Sequence, residues 1–151
     1  MKLTLHTDYA LRMLIFLAVH EGRSITVSDV ANVHRLSRNH LMKVALELRR
    51  LDYIKTTRGR SGGISLARRP GDINVGEVVR AMEDGFALVE CLGPGGGSCL
   101  ITPACRLKGV VHRALEAFLA VFDAYTLADL IGERALLEEL LEMPAAPAKA
   151  A

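Results

Sequence analysis

A mainly α fold with one small β-hairpin is predicted for this chain, on three observations. Two short helical segments with cap signals lie close together near the N-terminus. Two strand-like runs flanking a basic, glycine-rich turn follow them directly. A long stretch of apolar residues at helical spacing then occupies the region after residue 103. The first two features together describe a winged helix-turn-helix, and the third adds a long helix suited to dimerisation.

Thr7 is read as the cap of a first helix reaching about His20. Ala10, Met13, Leu14, Leu17 and Ala18 follow one helix face, and Leu11, Ile15, Phe16 and Val19 widen it. Such a helix is apolar nearly all round and should be buried on several sides. Gly22 ends it. Thr26 with Asp29 forms a capping pair for a short second helix whose inner face is Val27, Val30 and Ala31. After a break at residues 33–36, Ser37 caps a third helix to about Leu51. Its apolar face is Leu41, Val44, Ala45 and Leu48. Arg38, Asn39, His40 and Lys43 lie on the other faces. This donor-rich first turn suits major-groove reading: Arg chelates a guanine edge, Asn an adenine edge, and Lys a phosphate or guanine.

Residues 53–57 and 63–67 read as strands, joined by Arg58-Gly59-Arg60-Ser61-Gly62-Gly63. Glycine lets such a tip approach a phosphate backbone, and Arg58 and Arg60 supply charge for the minor groove. Arg68-Arg69-Pro70-Gly71 is a turn and a domain boundary. The winged helix-turn-helix domain is therefore assigned to residues 1–71. Asn74 with Glu77 caps a connecting helix to about Asp84. It and the cysteine-bearing loop fill residues 72–103. Pro103 and Ala104 start the long helix, which runs to about Ala124. Its stripe of Leu107, Val110, Val111, Ala114, Leu115, Phe118, Leu119 and Phe122 needs a partner surface, and a symmetry mate supplies one. Thr126 with Asp129 caps a last helical segment that folds back, completing residues 104–143. Residues 144–151 form an Ala/Pro/Lys tail expected to be disordered.

Charge divides along the same line. Residues 1–71 hold thirteen Lys and Arg against five Asp and Glu, +8, whereas residues 72–151 hold six against twelve, −6. A basic module joined to an acidic one points to double-stranded DNA as the partner of the first half. No catalytic dyad, nucleotide loop or paired carboxylate is visible, which argues against an enzyme. No apolar run is long enough to cross a membrane, and no small-residue cleavage site follows residues 13–19. The expected compartment is the cytoplasm, where thiols stay reduced.

All three cysteines, Cys91, Cys99 and Cys105, fall within fifteen residues around Leu92-Gly93-Pro94-Gly95-Gly96-Gly97-Ser98. Thiolates suit iron–sulfur clusters or zinc. Cys105 sits at the start of the long helix, where the dipole favours a thiolate. Three cysteines are one short of the usual four, so a fourth ligand must come from elsewhere. The residues alone leave open a zinc site completed by His112. They also leave open a thiol switch pairing Cys91 with Cys99 or Cys105, and thiols with no ligand role.

Several motifs resemble the Rrf2 family of transcription regulators. They are Leu3-Thr4-Leu5-His6-Thr7-Asp8-Tyr9-Ala10-Leu11-Arg12, Ser37-Arg38-Asn39-His40, Arg58-Gly59-Arg60-Ser61-Gly62-Gly63, Ile101-Thr102-Pro103-Ala104-Cys105-Arg106-Leu107 and Tyr125-Thr126-Leu127-Ala128-Asp129-Leu130. The resemblance spans about residues 1–142 and is strongest to the family's nitric-oxide-sensing repressors. It implies a homodimer on a pseudo-palindromic operator, with nitric oxide as the signal. It also implies an iron–sulfur cluster, [4Fe–4S] in preference to [2Fe–2S], on the three cysteines. An oxygen ligand would come from Asp8 of the partner subunit. From the residues alone Asp8 is structural, a first-turn carboxylate paired with Arg12 one turn on.

Two departures qualify the resemblance. Cys91 and Cys99 are separated by seven residues, longer than the family's usual gap. Lys108 stands where the family's cluster-biogenesis regulator has a histidine ligand, which counts against that branch. Iron-responsive or redox-responsive members share the three-cysteine layout and are the main rival.

Overall fold

The computed structural model describes residues 2–57, 59, 62–93 and 95–143. Arg58, Arg60 and Ser61 of the expected hairpin tip, and the expected tail 144–151, lie outside the described residues. No helix among those described is long and apolar enough to cross a membrane.

The core forms around α1 (Leu5–Val19). Ala10, Met13, Leu14, Phe16, Leu17, Ala18 and Val19 are all buried, as an all-round apolar helix requires. Its cap is Thr4, not Thr7. The Thr4 hydroxyl accepts from the Thr7 amide at 3.3 Å, and Thr7 is buried inside the first turn. The choice is made from a distance. Glu83, far along the chain, accepts from both the Thr4 amide at 2.8 Å and the Thr4 hydroxyl at 3.1 Å. The first donor of the helix end is thereby satisfied by a tertiary contact.

Thr26 and Asp29 form the expected capping box at the start of α2 (Val27–His34). Arg35 turns the chain with φ 53, and Ser37 caps α3 (Arg38–Arg50). Leu41, Val44, Ala45 and Leu48 of α3 pack into the core beneath α1 and α2. The hairpin follows as β1 (Ile54–Thr57) paired antiparallel with β2 (Gly63–Leu66), in the register Ile54↔Leu66 and Thr57↔Gly63. Ile64 also pairs with Ile25, its amide donating to the Ile25 carbonyl at 2.7 Å. A Cβ at residue 63 would overlap that carbonyl, which is why glycine stands there.

After a 3-10 turn at Pro70–Asp72, Asn74 caps α4 (Val75–Met82), two residues shorter than expected. The long helix α5 (Arg106–Asp123) starts later than expected. Pro103 sits in a separate 3-10 turn, Thr102–Ala104, and Cys105 is extended at φ −79 and ψ 107, which breaks the two apart. The C-terminal end of α5 is tied down tightly. The Val75 amide donates to Tyr125 O at 2.9 Å, the Leu127 amide to Ile73 O at 2.8 Å, and Asn74 Nδ2 to Asp123 O at 2.8 Å. Arg80 grips the Asp123 carboxylate with both guanidinium nitrogens. Short α6 (Leu127–Leu130) and α7 (Arg134–Leu140) then return to α1, where Arg134 donates to the Val19 carbonyl at 2.8 Å. The remainder of α5 buries no residue at all; Leu107, Val110 and Val121 are exposed.

Gly76 lies directly under the Arg80–Asp123 pair, and a Cβ there would collide with the Asp123 carboxylate. The atoms met are the far ends of exposed side chains, so Gly76→Ala is expected to push the Arg80–Asp123 pair aside while gaining up to about 1 kcal/mol of helix propensity, for a net change within about 1 kcal/mol. Urea unfolding checks it: the midpoint should move little, and Gly76→Ala combined with Asp123→Ala should be no less stable than Asp123→Ala alone.

Candidate nucleic-acid interface and cysteine loop

Helix α3 presents its residues in three directions. Asn39, Lys43, Leu46 and Arg50 follow one another at helical spacing on the side opposite the buried face. Arg38 and Met42 look toward the hairpin. A groove of about 400 Å³ opens there, lined by Arg38, Met42, Leu46, Arg49, Thr56 and Thr57 among others. His40 turns the other way, toward α1. Of the four predicted reading residues, Asn39 and Lys43 are thus exposed and outward. Arg38 is exposed but held, its Nε donating to Ser28 Oγ of α2 at 2.9 Å. His40 is partly buried between two rings of α1: His6 stacks on it at 6.2 Å, and Tyr9 meets it edge-on at 4.9 Å. These contacts fix the angle between α1 and α3. Sequence reasoning missed Ser28, Arg49 and the exposed pair Met42 and Leu46. For the three on α3, helical spacing from Arg38 and Asn39 was the available signal; Ser28, on α2, had none.

Asp8 shares the first turns of α1 with His6 and Tyr9. Within the protomer it forms a two-point pair with Arg12, at 3.0 and 2.9 Å. Both side chains keep considerable exposure, 38% for Asp8 and 47% for Arg12, so the pair holds position more than it stabilises. His34, at the end of α2, is packed edge-on to Phe16, and its Nε2 is buried with no hydrogen-bond partner among the described residues. Burial, then the Arg12 charge, push its pKa down, and Asp8 partly opposes them. The folded state therefore binds fewer protons than the unfolded chain once pH drops below the ordinary histidine value of 6.5. Stability from this group is complete above that value and is lost as pH falls through the window beneath it. Melting temperatures measured between about pH 7 and 5 should fall less steeply in His34→Gln than in the parent.

The cysteine loop begins in the 3-10 turn Glu90–Leu92, which carries Cys91. Gly96 and Gly97 both take positive φ, 67 and 64. They bring the loop back over that turn so closely that a Cβ on Gly97 would lie 3.2 Å from the Cys91 amide nitrogen. The Ser98 amide donates to the Glu90 carboxylate at 3.3 Å, which pins the residue before Cys99 beside Cys91. The Thr102 amide donates to Cys99 O at 3.1 Å, and Cys105 is the N-cap residue of α5 with no side-chain cap bond. All three thiols are unbridged; Cys99 is exposed and the others half-buried. Between the last two, Thr102 Oγ1 is buried without a hydrogen-bond partner among the described residues.

This donor set fits an iron–sulfur cluster in kind. It offers soft thiols, close glycine backbone and an unsatisfied hydroxyl able to donate to a sulfur. Yet no three His, Cys, Asp or Glu side chains among the described residues converge as a metal site within one protomer. His112, the histidine of the zinc reading, faces Glu116 at 3.3 Å on the exposed side of α5.

Residues 3–133 match the profile of a family described as Rrf2, iron-dependent transcriptional regulator. The chain belongs to the Rrf2 family. Two relatives extend the match over nearly the whole length. The HTH-type transcriptional regulator NsrR of Geobacillus kaustophilus is 51% identical, covering 94% of this chain and 97% of the relative. NsrR of Bacillus subtilis is 49% identical, covering 95% and 99%. Among solved structures, IscR of T. potens is similar with a TM-score of 0.70 at 27% identity, covering 97% of this chain and 94% of that one. As an Rrf2 member the chain is a DNA-binding transcriptional regulator, not an enzyme.

Proposed function

We propose that this Rrf2 regulator is a repressor whose operator binding is controlled by nitric oxide at an iron–sulfur cluster. The observation that carries the reading is the position of the three thiols. All lie on one glycine-rich loop running into the N-terminus of a helix, in a chain similar over 94–95% of its length to NsrR regulators. Cys91, Cys99 and Cys105 would hold the cluster, with [4Fe–4S] favoured over [2Fe–2S]. Asp8 of the partner subunit would supply the oxygen ligand missing from a three-thiol set. When bound, the cluster supplies iron sites that react with nitric oxide.

The second subunit has a reason to be there. The exposed stripe on α5, including Leu107 and Val110, is apolar area that a monomer leaves in water. A homodimer across α5 buries it and sets two α3 helices at the spacing of a pseudo-palindromic site in DNA. Asn39 and Lys43 face the major groove, Arg38 flanks them, and Arg58 and Arg60 are assigned to the flanking minor groove. His40 holds the recognition helix to α1.

Asp8 then has two roles that exclude each other, partner of Arg12 or oxygen ligand. It is carried by the same stretch of α1 as His6 and Tyr9, whose rings touch His40. An exchange at Asp8 is thus felt by the recognition helix through direct ring contacts. The Asp8→Ala variant tests the arrangement. Its anaerobic visible spectrum should differ from the parent's, and its release of operator DNA by nitric oxide should be blunted. An unchanged spectrum together with unchanged release would rule the linkage out. An iron-responsive regulator is the second reading, favoured by the family description itself. In that case iron chelation, and not nitric oxide, releases the DNA.

A further inference from the structure

Met42 and Leu46 lie one turn apart on α3 and are 46% and 60% exposed. Single exposed apolar residues need no explanation. These two share the groove between α3 and the hairpin, with Arg38 and Arg49 beside them and Thr56 and Thr57 across it. The core does not use them, because α3 already buries Leu41, Val44, Ala45 and Leu48. A surface helix ordinarily carries polar side chains at such positions.

The charge around the groove selects its occupant. Its neighbours Arg38, Lys43 and Arg49 belong to the half of the chain with net +8, so a second copy of this face would be repelled. A polyanion with an apolar feature fits. The major groove of DNA offers one such feature, the C5-methyl group of thymine. Asn39, seven residues before Leu46 on the same outward stripe, has the side chain suited to adenine. The two observations agree on A·T pairs.

We propose that Met42 and Leu46 are specificity-determining residues that read thymine methyl groups in each half-site. This rests on the DNA-binding reading of α3 and adds to it the chemistry of the bases read. The test starts from the duplex that the full chain, purified anaerobically, selects most strongly from a randomised library. Each thymine is then replaced by deoxyuridine, which removes one methyl group and leaves every hydrogen-bonding edge intact.

At least one position per half-site should weaken binding about fourfold on loss of its methyl group, the ratio set by transferring one such group from water. Leu46→Ser or Met42→Ser should abolish that sensitivity while leaving the duplex bound. Both side chains are exposed, so neither variant threatens folding. The inference is overturned if no thymine is sensitive, or if sensitivity survives in both variants. It is also overturned if the variants change only self-association, which would make a second copy the occupant. Recovery of no duplex at all would instead remove the DNA-binding role of α3, and this inference with it.

Discussion

Replacing Cys105 with alanine is expected to reduce bound iron from about four per protomer to background and to lower operator affinity about a thousandfold, to the non-specific level. Donor number decides this. Three thiols are already one short of the usual four, and two leave no stable set. Cys105 is the N-cap residue of α5, held at the helix start by the 3-10 turn that precedes it. Its side chain makes no cap hydrogen bond, so alanine removes the thiol with little damage to the helix. Thermal unfolding of the iron-free proteins should therefore agree closely between parent and variant. Iron and sulfide assays beside fluorescence anisotropy on operator DNA check the result. A variant that keeps its iron would show that Cys105 is not a ligand.

The second large effect falls on α3. Asn39→Ala is expected to weaken operator binding about 10- to 100-fold and to relax selectivity at one base pair per half-site. Lys43→Ala should weaken all duplexes more evenly and reduce the salt dependence by about one ion per protomer. The distinction follows from position. Asn39 is on the first turn of α3 and exposed, with a side chain that matches an adenine edge. Lys43 is one turn further on the same stripe, a point charge suited to phosphate. Competition binding against single-base operator variants at several salt concentrations separates the two. Equal losses on all sequences for Asn39→Ala would remove its reading role.

Local signals in the sequence reach as far as local physics does. Thr26 with Asp29, Ser37, Asn74 with Glu77 and Thr126 with Asp129 all mark helix starts where the structure has them, because a cap is decided within four residues. Thr7 failed as a cap because Thr4, three residues earlier, is equally suited, and Glu83 selects it from the far side of the fold. Pro103 suggested a helix start; the extended backbone at Cys105 delays it, a detail of the cysteine loop that no periodicity contains.

The candidate site divides in the same way. Asn39 and Lys43 could be placed outward from spacing alone. The holding of Arg38 by Ser28, and of His40 by His6 and Tyr9, depends on how α2 and α1 cross α3. Asp8 was readable both as a partner of Arg12 and, through the family resemblance, as a ligand. One protomer contains the first arrangement. The second needs a partner subunit, which lies beyond what a single chain's fold expresses.

The most direct test of the whole account is a nitric oxide titration of anaerobically purified protein bound to labelled operator DNA, with absorbance and anisotropy followed together. The expected result is a broad band near 400 nm from about four iron per protomer, its loss on nitrosylation, and release of DNA over the same range of added nitric oxide. A colourless protein that cannot be loaded with iron and sulfide, or one that loses its absorbance while the DNA stays bound, would contradict it.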